Sequence, residues 1–80
     1  METNRFTTLD VYLAAYHTLN GCAPDLEVQG GKVVFSFLQS QDIYLFLQQF
    51  NGNAPVAVAD FTIAVKTLRG RMLEARRSSR

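Results

Sequence analysis

Eighty residues carrying a net charge of +1, 48% hydrophobic and 19% charged, describe one globular domain rather than a disordered segment. A chain this short buries roughly 60% of the surface its unfolded form exposes, so six Phe and three Tyr must fill a thin core. A lone cysteine, Cys22, excludes an intrachain disulfide, no apolar run approaches the ~20 residues of a membrane span, and Met1–Arg5 lacks a secretory pattern, so the expectation is a cytoplasmic protein held by packing alone.

In chain order, Thr8 and Asp10 read as the opening of a first helix, with room for a short extended piece at 4–7 before it. A Thr hydroxyl accepts from an unpaired backbone N–H there, and Asp in the first turn suits the positive end of the helix dipole. Leu9 to Leu19 is apolar almost all round, the pattern of a helix covered on most sides, and Ala14 and Ala15 permit close approach. Asn20-Gly21 ends it.

Two alternating runs, 24–29 and 32–38, then flank Gly30-Gly31. A two-residue Gly-Gly loop supplies the positive φ angles of a type I′ turn, which sets Gln29 opposite Lys32, Val28 opposite Val33 and Leu26 opposite Phe35. Leu26, Val28, Val33, Phe35 and Phe37 then share a core face; Glu27, Gln29, Lys32, Val34 and Ser36 share the other. Ser40 caps a second helix that ends at Asn51-Gly52 and buries Ile43, Phe46, Leu47 and Phe50 at helical spacing. A third helix starts near Val58–Asp60 and runs on a stripe of Phe61, Ala64, Val65, Leu68, Met72 and Ala75, with Gly70 inside it at a cost of about 1 kcal/mol. The expected architecture over 1–80 is a two-layer α+β domain, helix–hairpin–helix–helix, with three helices on one face of the hairpin and residues 77–80 as a fraying basic tail.

A catalytic set is missing from this inventory. His17 has no acid or thiol three or four positions away and reads as a helix-end histidine near favourable carbonyl dipoles, although Cys22, five residues on, leaves a Cys–His dyad open. Asp10, Asp42 and Asp60 each stand at a helix start, and Asp25 and Glu27 lie on the polar face of a strand. Gly30-Gly31 lacks the following helix of a phosphate loop. The reading is a non-enzyme with no metal, no cofactor and no evident small-molecule substrate.

Charge is uneven. From position 66 onward six basic residues face only Glu74, a net of +5; residues 1–65 hold two basic residues against six acids, a net of −4. Lys66, Arg69, Arg76, Arg77 and Arg80 fall within about a 100° arc of the last helix, an arrangement able to follow a phosphate backbone and equally that of a solvated C-terminal helix. Val34 and Leu38 on the outer hairpin face, and Tyr44, Leu45 and Leu73 off their core stripes, leave apolar surface for a protein partner or a second copy, and the hairpin's free edges offer a further contact. Protein interaction, homodimerisation included, is therefore the leading expectation and nucleic-acid binding the alternative.

Thr8-Leu9-Asp10-Val11-Tyr12-Leu13-Ala14-Ala15 resembles the T-x-D-L-Y-L-A-A opening of a family of small uncharacterised bacterial and phage domains. The resemblance extends through Gly21, the strand Val33-Val34-Phe35-Ser36-Phe37 (similar to that family's V-x-F-x-F) and Phe61 with Leu68, covering most of residues 6–73. Cys22-Ala23 replaces a connection that is often basic, and the tail is unusually basic. The resemblance implies a bacterial or phage setting and no substrate, cofactor or catalytic residue.

Overall fold

The computed structural model describes residues 4–78 as β1 (Arg5–Thr8), α1 (Val11–Leu19), β2 (Asp25–Gln29), β3 (Lys32–Leu38), α2 (Gln41–Asn51) and α3 (Val58–Ser78). The hairpin forms in the expected register, Gln29 opposite Lys32 and Leu26 opposite Phe35, because Gly30 and Gly31 take φ of 59° and 78°. Such angles strain any residue with a Cβ, which is why the turn is Gly-Gly.

The sheet differs from a bare hairpin. The segment before α1 pairs antiparallel with β3, Phe6 opposite Phe37 and Thr8 opposite Phe35, giving the strand order β1-β3-β2. One edge of the hairpin is thereby covered, and the free edges belong to β1 and β2. Burial drives this pairing: Phe6 and Thr8 alternate inward, and Phe6 packs on the core beside Phe37.

Capping of α1 also differs from expectation. Asp10 is the N-cap itself, its carboxylate accepting from the backbone N–H groups of Tyr12 and Leu13, while the Thr8 hydroxyl accepts from Asp10 N. The helix therefore begins at Val11, and Leu9 stands outside it. Ser40 caps α2 as expected, accepting from Ile43 N at 3.3 Å. After Gly52 the chain reverses through Asn53 at φ 60°, a left-handed conformation that Asn tolerates.

All three helices meet the face of β3 that carries Phe35 and Phe37. Ala14 and Ala15 of α1, Ile43 of α2 and Ala64, Val65 and Leu68 of α3 join these rings in a single core cluster. The Cα trace is only 17 Å thick along its short axis, the dimension of one helical layer on one sheet. Helix α3 continues through Ser78; Arg80 lies outside the described residues.

Among the described residues no helix covers the opposite face of the sheet. Arg5 lies across it, donating through Nη2 to Asp25 Oδ2 (2.7 Å) and to the Ser36 carbonyl (2.9 Å), and through Nε to Ser36 Oγ (2.9 Å). One side chain thus spans all three strands and covers Ser36, which is 2% exposed although it points away from the core. Arg5→Ala should cost about 1–2 kcal/mol, read in urea unfolding, because a buried hydroxyl and a carbonyl lose their donors. By contrast, a Cβ at Gly70 would meet nothing within 4 Å, so Gly70→Ala should raise stability by about 0.5–1 kcal/mol in the same assay.

Candidate functional site

Leu9, set outside α1 by the Asp10 cap, faces the C-terminal half of α3. With Val11, Met72 and Leu73 it forms an apolar floor, bordered by Arg69 and Arg76, of a groove of about 440 Å³. Leu9 and Leu73 remain 57% and 59% exposed, so the groove is open along one side. Beside it, Tyr12 stacks on Phe61 with ring centroids 6.4 Å apart, and the Arg69 guanidinium lies 5.5 Å above the Tyr12 ring. Arg69 Nη2 also donates to the Tyr12 hydroxyl at 2.8 Å. A ring that is both acceptor and π-face fixes the guanidinium in place.

The basic arc is thus divided among separate tasks. Arg69 and Arg76 border the groove, Arg77 pairs with Glu74 at 3.6 Å on the solvent side, and Lys66 is exposed. Arg71, off the arc, donates to the Pro24 carbonyl at 3.3 Å and ties α3 to the start of β2. The candidate interface residues lie on three elements. Val34, half-buried, and Leu38, exposed, point out from β3; Tyr44 and Leu45 are exposed on α2; only Leu73 lines the groove. Tyr44 packs edge-on against Phe6 and its hydroxyl accepts from Gln39 Nε2.

His17 stands at the end of α1, as expected, but it does not face solvent there. Its side chain is wholly buried among Phe6, Phe37 and Phe46, with centroids 5.0–6.2 Å away. Neither ring nitrogen reaches a hydrogen-bond partner, which removes the Cys–His dyad; the one bond between these residues runs from Cys22 N to the His17 carbonyl. Burial holds the imidazole pKa below its ordinary value, outweighing the pull of the helix C-terminus. Burial, with a further push from the Asp42 carboxylate, raises the Cys22 thiol. Its position was legible in one respect: His17 follows buried Leu13 and Ala14 by four and three residues, the spacing of a core stripe.

Among the described residues no group of three or more His, Cys, Asp or Glu side chains converges to hold a metal, and no helix is long and apolar enough to cross a membrane. No protein-family model, curated protein or solved structure matches the chain.

The His17 environment sets a pH response. The unfolded imidazole binds a proton near pH 6.5 and the folded one only at lower pH, so stability is full above about 6.5 and falls as pH drops towards the folded pKa. The slope in that window is at most about 1.4 kcal/mol per pH unit. In denaturant titrations between pH 7 and 5, His17→Leu should flatten it.

Proposed function

We propose that the chain is a non-enzymatic docking domain that acts by binding another protein or a second copy of itself. The groove of Leu9, Val11, Met72 and Leu73 carries this reading. Scattered exposed apolar side chains are ordinary on a small domain, whereas these four come from two elements some sixty residues apart and line one continuous depression between cations. A fold with so thin a core gains from burying them.

The placement of the reactive groups supports the same reading. His17 is enclosed by three aromatic rings, burial raises the Cys22 thiol pKa, and Asp25 pairs with Arg5. None of these side chains lines the groove.

Sedimentation equilibrium of the whole chain over micromolar concentrations, alone and with proteins that co-purify with it, tests the proposal. We expect either a mass that rises with concentration or a complex of fixed stoichiometry. A strict monomer that forms no stoichiometric complex overturns it.

A further inference from the structure

We propose that the outward crest of α3 pairs antiparallel with the same crest of a second copy of this chain, the two helices crossing at Gly70. The inference rests on the docking reading above and names the partner.

Burial defines the crest. Ala64, Val65 and Leu68 turn one side of α3 into the core. At 100° per residue Gly70 lies nearly opposite their centre, with Ile63, Lys66, Leu73, Glu74 and Arg77 within about 60° of it on either side. All six are exposed, Ile63 at 62% and Leu73 at 59%, so this side of a 21-residue helix has no cover among the described residues.

Three features select a second copy as the cover. First, charge on the crest is complementary to itself. Lys66 stands four residues before Gly70 and Glu74 four residues after it, each about 6 Å away along the axis. Two copies of α3 laid antiparallel across Gly70 bring each Lys66 level with Glu74 of the other, twice over, as a two-fold contact requires. A parallel pairing would instead set Lys66 against Lys66. Among the described residues Lys66 has no carboxylate partner, and Glu74 holds Arg77 loosely, at 3.6 Å between side chains that are 72% and 73% exposed. Such an exposed pair is weak and exchanges readily.

Second, Gly70 has no steric reason within one chain. Glycine inside a helix weakens it, and a Cβ at this position would meet nothing within 4 Å. A missing side chain matters where another backbone comes close, and on the proposed axis glycine faces glycine. Third, the same register brings Ile63 of one copy level with Arg77 of the other, and Thr67 level with Leu73. The exposed Ile63 is then covered by an arginine stem whose guanidinium stays at the rim. One two-fold axis accounts for all of these matches, whereas a dissimilar partner gives no reason for any symmetry about Gly70.

Sedimentation equilibrium of the whole chain over micromolar concentrations reads the association, and variants at exposed positions of α3 locate it. Gly70→Gln improves helix propensity while placing a side chain on the axis, so it should leave the chain monomeric with an undiminished far-ultraviolet helix signal. Lys66→Glu and Glu74→Lys should each weaken association about tenfold or more, since both paired positions then carry like charges. An equimolar mixture of those two variants should associate as the parent does, because every contact between unlike chains is again of opposite sign. The double variant, Lys66→Glu with Glu74→Lys, should do so alone.

A parent chain that stays monomeric, association untouched by Gly70→Gln, or a mixture that fails to recover would overturn the proposal. Association indifferent to Gly70→Gln places the self-contact on another surface, and a monomer that captures a different protein makes the partner a foreign one. In both cases this inference fails while the docking reading stands; a strict monomer with no complex removes both.

Discussion

The core depends on two alanines that let α1 into its centre. Ala14 and Ala15 are wholly inaccessible and share one cluster with Phe35 and Phe37 of β3 and with Ala64, Val65 and Leu68 of α3, the element that α1 meets most extensively. Close-packed interiors transmit such a constraint outward. Tyr16, on the next position, turns toward α2, where its hydroxyl donates to Gln49 and its ring meets Phe50. At the other end of the helix Tyr12 stacks on Phe61 of α3. His17, one turn beyond Ala14, is drawn into the same layer. The position of α1 therefore fixes α2, α3, the buried histidine and one wall of the groove together.

The two layers treat charge in opposite ways. On the outer face of the sheet Arg5 is absorbed internally, its guanidinium shared between Asp25 and Ser36. Along α3 the cations border an apolar depression, and the partner of Arg69 is a neutral tyrosine rather than an acid. An arginine held by a ring keeps its full charge available, whereas one held by a carboxylate does not. The stretch from position 66 onward carries most of the positive charge of the chain.

Local chemistry made most of the fold legible in the sequence. Gly30-Gly31 dictated the turn, the turn dictated the register, and Ser40 with the Ile43 stripe marked α2. The remainder was misread or left open. The extended piece expected at 4–7 is present as β1, but its pairing with β3 was not legible, because four residues are too few to show alternation. Asp10 looked like a first-turn acid, and its capping bonds moved the start of α1 past Leu9, creating the groove wall. The neighbours of His17 come from β1, β3 and α2, none of which a helical-spacing argument reaches. Of the groove only Leu73 and the two arginines drew attention in the sequence, because Leu9 and Val11 lie some sixty positions away and meet α3 only in the fold.

The short strand β1 also bears on how the buried histidine is enclosed. Phe6, which β1 contributes, is one of the three rings enclosing His17, and it is the one held by the shortest strand at the rim of the sheet. Edge elements with few backbone bonds open more readily than the core they cover. Because His17 is wholly inaccessible, a proton reaches it in the folded state only when its enclosing rings move, Phe6 of the N-terminal edge among them.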